Sequence, residues 1–305
     1  MLYPNKIQMI KKTLLIIILL APVSLLAQSL GKERVQRVKE SIVALLINTS
    51  DDVSNKVYRG AGTAFFVNDD GYLATCYHVI ENAIVYNNAG LKIGVRDIAI
   101  RTISGEVIPA EIELSFLNEN RIEGLLYDCV LIKAKTLPKS KFSYLPLGNF
   151  GDIEEGDAIY TCGYPLGLPT HIVSTGILST KFEELRKATS SSKPKTEVAQ
   201  KVRNLAWLDL TMNRGNSGGP IIKLGSKPED DYVIGIATFI LNPYANEADN
   251  IANFIRLQNP NSDLMINGVK SGKTTMLLAE AVANNSIGIS GVVSINHLKA
   301  ILKWK

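Results

Sequence analysis

The stretch Gly215-Asn216-Ser217-Gly218-Gly219-Pro220 sets one hydroxyl among three glycines. Glycine reaches backbone angles closed to other residues, so such a run can bend to present Ser217 and aim nearby N–H groups at an anion. That is the layout of a nucleophile beside an oxyanion hole. Gly/Ser/Asn runs are also ordinary turns, so the motif carries chemistry only if a base and an acid accompany it.

The chain has three histidines. His297 falls in a C-terminal helical pattern and His171 at a loop start, where solvated or packing roles are the ordinary reading. His78 follows the apolar run Gly71-Tyr72-Leu73-Ala74-Thr75-Cys76 and opens a short helical segment, Val79-Ile80-Glu81-Asn82. The end of a strand is a rigid mount for a general base. Among 29 acidic residues, Asp128 stands apart because it lies within Leu125-Leu126-Tyr127-Asp128-Cys129-Val130-Leu131-Ile132. An ionised carboxylate in such a run costs several kcal/mol to bury unless it is paired and hydrogen-bonded. A His N–H would satisfy it and fix the tautomer that leaves the other ring nitrogen free. The competing role for Asp128 is an N-cap or a turn at a strand edge. Asp97, Glu111 and Glu123 have polar or turn-like neighbours and need no such partner.

The elements that must hold these side chains read as strands. Short β-rich runs occur at Ile42–Ile47, Thr63–Val67, Tyr72–Cys76, about Ile93–Thr102, Val107–Leu114 and Asp128–Lys133. A second series occupies Ala158–Cys162, Val173–Ser179, Leu205–Leu210, Pro220–Lys223, Val233–Ile240 and Ile287–Val293. Two successive sets with turn signals between them, such as Asn68-Asp69-Asp70-Gly71, predict an all-β fold of two packed six-stranded antiparallel barrels. The first spans about 41–140 and the second about 141–305. Gln28–Glu40 reads as a short amphipathic helix. The chain ends in another, with Ser294 as N-cap and Ile295, Leu298, Ile301 and Leu302 at helical spacing. Two segments break the rhythm: 181–203, charged and Ser-rich, reads as a mobile surface loop, and 241–285 as an elaboration containing a helix at Thr275–Ala283.

Lys11-Lys12 precede Thr13–Ala27, an apolar run of about 15 residues closed by Ala27-Gln28, which is the pattern of a secretory signal peptide covering 1–27. A retained anchor needs about 20 apolar residues, and Pro22 interrupts this one. The mature protein, 28–305, is therefore expected to be exported, periplasmic or secreted, with no stable membrane span. Removing the leader leaves 30 basic against 29 acidic residues, which implies neither a nucleic-acid patch nor a polybasic anchor. Cys76, Cys129 and Cys162 are too few for a disulfide framework and read as buried thiols, with Cys76–Cys129 the pair of choice if a bridge forms. Gly268-Val269-Lys270-Ser271-Gly272-Lys273-Thr274 has three residues between its glycines where a phosphate-binding loop needs four, so it reads as a turn before a helix.

His78, Asp128 and Ser217, in that order and 50 and 89 residues apart, carry a resemblance. With Gly60–Val67, Thr75–Val79, Asp128–Lys133, Gly163–Gly167, Asn213–Pro220 and Val233–Ile236, the chain resembles the chymotrypsin-fold serine proteases, and among them the Deg (HtrA) type of exported bacterial protease. The resemblance implies the double barrel, a cleft between barrels, polypeptide substrates and no metal or organic cofactor. It implies Ser217 as nucleophile, His78 as base, Asp128 as its orienting acid, and the Gly215 and Ser217 N–H groups as the oxyanion hole. It places the floor of the primary specificity pocket near Thr211, with Ile236, Ala237 and Thr238 along its wall, which suits small or medium apolar side chains and not basic ones. Asn216 stands where digestive relatives carry an Asp that ion-pairs with a newly cut N-terminus, so no activation cut is expected. No peptide-binding PDZ module is expected after the second barrel. The alternative from another class is a catalytically inactive, peptide-binding relative of the same fold.

Overall fold

The computed structural model describes residues 30–50, 52, 54–87, 92–113, 127–135, 142–189, 198–240, 265–266, 269–270 and 288–302. The chain divides into two compact units, Met1–Gln36 and Arg37–Lys305. The leader 1–27, the helix expected at Thr275–Ala283 and most of 241–285 lie outside the described residues.

The first series of strands is β1 (Ile42–Asn48), β2 (Tyr58–Phe66), β3 (Tyr72–Thr75), β4 (Ile84–Tyr86), β5 (Lys92–Val95), β6 (Ile98–Arg101), β7 (Val107–Ile112) and β8 (Val130–Ala134). Six close into a barrel in the order β1-β2-β3-β8-β7-β6, while β4 and β5 form a separate ribbon. The second series is β9 (Ala158–Gly163), β10 (Ile172–Thr189), β11 (Val198–Asp209), β12 (Pro220–Lys223), β13 (Tyr232–Ile240), β14 (Met265–Ile266), β15 (Val269–Lys270) and β16 (Ile289–Ser294). Here β10-β11-β16-β13-β12-β9 close the second barrel, and β14 with β15 make a two-stranded sheet. The fold is thus all-β, two closed antiparallel barrels with a short C-terminal helix.

Period-two burial drives the closure. Along β7, Ile108, Ala110 and Ile112 point inward and Val107, Pro109 and Glu111 outward. The second barrel closes over Ile159, Leu178, Leu208, Ile221, Ile234 and Val292, all buried, and each large aliphatic so buried contributes roughly 1.5–3 kcal/mol. Between β2 and β3, Gly71 takes φ +85° and the Asn68 side chain accepts from Tyr72 N at 3.1 Å, the turn that its sequence announces. The C-terminal helix, Ile295–Leu302, starts where Ser294 Oγ accepts from Asn296 N at 3.2 Å, a side-chain N-cap.

Three expectations need correction. The segment 181–203 is no loop: β10 and β11 run past the barrel wall as a hairpin, paired from Ile177↔Asp209 to Thr189↔Val198, with 190–197 outside the described residues. Its apolar residues are few and the cross-strand pair Leu185 and Val202 is exposed, so the inward/outward alternation that announces a strand is missing from the sequence. Backbone pairing continued from the barrel holds it. The run 93–102 is two strands, broken at Arg96-Asp97. Finally, β8 begins at Val130, and Asp128 lies before it in a left-handed conformation, φ +53°.

Candidate active site

The register of β3 against β8 explains why residues 50 positions apart meet. The pairing ends at Thr75↔Val130, so the chain leaving β3 and the chain entering β8 run side by side just beyond it. His78 sits there on the short helix Tyr77–Glu81. Asp128 reaches it twice: Oδ1 accepts from His78 N at 3.0 Å, and Oδ2 lies 2.8 Å from Nδ1. Ring and peptide of one residue are held by one carboxylate that is itself 8% exposed. The left-handed backbone at Asp128 costs of order 1 kcal/mol or more for a non-glycine, although Asp tolerates it better than most. This pairing offsets that strain. With Nδ1–H donating to Asp128, Nε2 is left as the acceptor.

Ser217 arrives on a loop built for close approach. Asn216 N donates to Asn213 O at 3.0 Å, Gly215 takes φ +97° and Gly218 φ +86°. Thr63 of β2 ties the loop to the first barrel at two points and also holds Tyr164. Its N–H donates to Ser217 O at 2.9 Å, its Oγ1 donates to Gly215 O at 2.7 Å, and the same Oγ1 accepts from Tyr164 N at 3.0 Å. On the other side Gly218 N donates to Ala237 O at 2.8 Å, the carbonyl that also accepts from Cys76 Sγ at 3.2 Å. Two residues beyond Cys76 is His78, so the Ser217 loop and the histidine share an anchor. Among the described residues no hydrogen bond joins Ser217 Oγ to His78; such bonds are often long in apo enzymes and tighten in the complex.

A cleft of about 580 Å³ opens over the pair, with His78, Asp128 and Thr238 on one side and Phe182, Leu205 and Trp207 of the β10–β11 ribbon on the other. Phe182 and Trp207 stack with centroids 5.6 Å apart. The corrected hairpin therefore supplies a wall of the site. Of the expected pocket residues, Thr238 lines this cleft, Thr211 is exposed, and Ile236 and Ala237 are buried. His171 packs edge-on against Tyr164 and His297 stacks on Tyr127; neither lines this cleft.

The ligand atoms of Cys76, His78 and Asp128 lie within 4.8 Å of one another. Burial, and then the charge of Asp128, pushes the Cys76 thiol well above its ordinary range, so it offers no thiolate. Nδ1 and Oδ2 are already spent on each other. The set suits holding and moving a proton better than binding a metal. All three cysteines are buried thiols, without the Cys76–Cys129 bridge.

A trypsin-like peptidase domain matches residues 62–236, more than half of the chain. This chain belongs to the trypsin-like peptidase family. It is 28% identical over 188 residues to the chloroplastic Protease Do-like 1 of Arabidopsis thaliana, covering 62% of this chain and 35% of the relative. To a probable periplasmic DegP-like serine endoprotease of Bartonella henselae it is 27% identical over 182 residues, 60% and 28% of the two chains. A magnetosome formation protease of Paramagnetospirillum magneticum is 29% identical over 184 residues, 60% and 20%. The chain thus spans about a third or less of these relatives' length. A solved HtrA-type protease with a bound tripeptide shares the fold, with TM-score 0.50 and 18% identity over 88% of this chain and 61% of that one. Within the trypsin-like peptidases, these relatives include DegP-like proteases, and the solved structure is of the HtrA type. Sequence reading gave Thr63, Tyr164 and Arg203 no role at the site: Thr63 and Tyr164 lie in stretches that carry the resemblance, but their contacts are long-range, and Arg203 sits in no motif.

Proposed function

We propose that this trypsin-like peptidase is an exported serine endopeptidase using His78, Asp128 and Ser217. The observation that carries the reading is the pair of hydrogen bonds that Asp128 accepts from His78, beside a glycine-bent Ser217 loop. Ser217 Oγ attacks the scissile carbonyl as its proton passes to His78 Nε2. Asp128 holds the ring and stabilises the imidazolium, while the N–H groups of Gly215 and Ser217 receive the oxyanion. Collapse breaks the C–N bond, and the amine leaves with the proton from His78. Water then takes the place of the amine, and the same groups return Ser217 and release the acid. The test is the Ser217→Ala variant of the mature protein, 28–305: casein cleavage and labelling by a Ser-directed phosphonate are both expected to vanish. Undiminished turnover would remove Ser217 from the mechanism.

The absence of a charge at Thr211 supports a preference for small or medium apolar side chains; a peptide-library profile dominated by Lys and Arg would overturn it. Asn216 carries no charge and cannot form an ion pair with a newly cut N-terminus, which supports activity without an activation cut. Intact mass of the active protein, showing no internal cut, is the check. The leader pattern and the periplasmic relatives support export. A second reading, an inactive peptide-binding relative, draws on the missing Ser217–His78 hydrogen bond, and failure of the wild type to take the phosphonate would select it.

A further inference from the structure

We propose that the cleft on the Gly215 side of the site binds a carboxylate carried by the substrate, held by Arg101, Arg214 and the Tyr164 hydroxyl. This deepens the protease reading and rests on it for the identity of the ligand as a peptide. The cleft has a volume of about 540 Å³ and runs from Gly60 and Gly62 of β2, past Gly215, to Tyr164, Arg101 and Arg214. It holds two guanidinium groups and no carboxylate. Among the described residues neither arginine has an ion-pair partner.

Tyr164 is the second, independent observation. It is 5% exposed, and its hydroxyl is fully shielded from solvent with no hydrogen-bond partner. Buried tyrosine hydroxyls nearly always find one. Looseness is not the cause, because the Tyr164 peptide N–H is fixed on Thr63 Oγ1 at 3.0 Å. Burial pushes the phenol up, with Cys162 adding to this and Arg101 opposing it, so the group remains an O–H donor at neutral pH. One waiting donor and two forked cations, with no side-chain anion to satisfy them, are a receptor for a planar anion that accepts several hydrogen bonds.

Adjacency to Gly215 says where that anion comes from. Gly215 O is bonded to Thr63 Oγ1, and a Cβ at Gly62 would stand 2.9 Å from Ser217 O, so the cleft is continuous with the nucleophile loop. A peptide lying across Ser217 extends into it. The carboxylate is therefore a Glu or Asp side chain a few residues from the scissile bond, or the free C-terminus of a short substrate.

The test uses the mature wild type and peptides that differ only by Glu against Gln at each of four positions on either side of the scissile bond, plus one pair with a free against an amidated C-terminus. Both kcat/KM in the wild type and binding to the Ser217→Ala variant, by fluorescence anisotropy, are measured. At one position the acid is expected to win by about tenfold or more, the scale of a charge-assisted hydrogen bond. A winning Glu marks an internal acidic residue, and a winning free acid marks a C-terminal carboxylate. The acid-to-amide ratio should approach one in Arg101→Gln, which changes a half-buried residue, and in Arg214→Gln, which changes an exposed one. Tyr164→Phe should lower the ratio without lowering Tm, because it deletes an unbonded hydroxyl. Equal handling of acid and amide at every position, a preference for the amide, or a ratio that survives the double arginine variant would overturn the proposal. Acid-selective binding without phosphonate labelling of the wild type sinks the protease reading and keeps the carboxylate site; labelling without acid selectivity does the reverse.

Discussion

At the scale of the residue, Thr63 governs the geometry that the chemistry needs. One hydroxyl donates to the Gly215 carbonyl and accepts from Tyr164 N, so it fixes the Gly215–Asn216 peptide, the unit next to the one that carries the Gly215 N–H. Removing an oxyanion donor outright costs about 10²–10³ in rate, and loosening one should cost less. Thr63→Val is expected to lower kcat roughly tenfold or more with little change in KM, and to destabilise by about 1–3 kcal/mol through the orphaned Tyr164 N–H. Thr63→Ser, which restores the hydroxyl, should recover most of the rate; steady-state kinetics on the pair decide it. Asp128→Asn keeps the shape but favours the wrong histidine tautomer, and a fall in kcat of about 10⁴ is expected. His78, Asp128 and Ser217 could be read from the chain because each sits in a local context that is costly without a purpose: a carboxylate in an apolar run, a hydroxyl among glycines. Thr63 could not, because its meaning lies in a bond 152 residues away. Nor does Asp128's left-handed backbone show in a sequence that reads as continuous strand.

At the scale of the element, the β10–β11 hairpin and the C-terminal helix meet around His297. Where β16 stops pairing at Leu205↔Val293, the next backbone donor, Asn204 N, is met by His297 Nε2 at 3.1 Å. The imidazole thus continues the sheet edge and must be neutral to accept. Burial, then the charge of Arg203, pushes His297 from 6.5 down to about 4. Between those values the unfolded chain binds a proton that the folded chain refuses, so stability is full above pH 6.5 and declines as pH falls toward 4. The loss across that window is on the order of 3 kcal/mol. Denaturant midpoints at pH 7.5 and 4.5 should show it in the wild type and much less of it in His297→Gln, which keeps an acceptor for Asn204 N. An equal pH dependence in the two proteins would place the effect elsewhere. Here the sequence was least legible. The helix and its Ser294 cap follow from spacing, whereas the hairpin's apolar residues, such as Phe182 and Leu185, are scattered among charged ones, and Arg203, 3% exposed and bonded to Glu184 at 2.5 Å, looks in one dimension like any surface arginine.

At the scale of the whole molecule, two series of short strands foretold two barrels, but the way one barrel is keyed to the other is visible only in three dimensions, at Gly218. It lies in the second barrel's Ser217 loop, yet a Cβ placed there would stand 2.2 Å from Thr63 O and 2.2 Å from Thr75 Oγ1, both of the first barrel. Those two atoms are hydrogen-bonded to each other at 2.8 Å, so neither can yield without opening the β2–β3 hairpin that leads to His78. Gly218→Ala should therefore push the barrels apart and separate Ser217 from His78 in one step. Its backbone angle, φ +86°, would strain an alanine in any setting, and the Gly105 turn provides the comparison: it has the same φ with nothing within 4 Å of the added carbon. Gly105→Ala carries only the backbone cost, about 1 kcal/mol, and should retain wild-type phosphonate labelling. Gly218→Ala is expected to lose labelling and to fall in Tm well beyond the Gly105 variant. Matching losses in the two would mean that φ strain, and not the seam between barrels, sets the cost at Gly218.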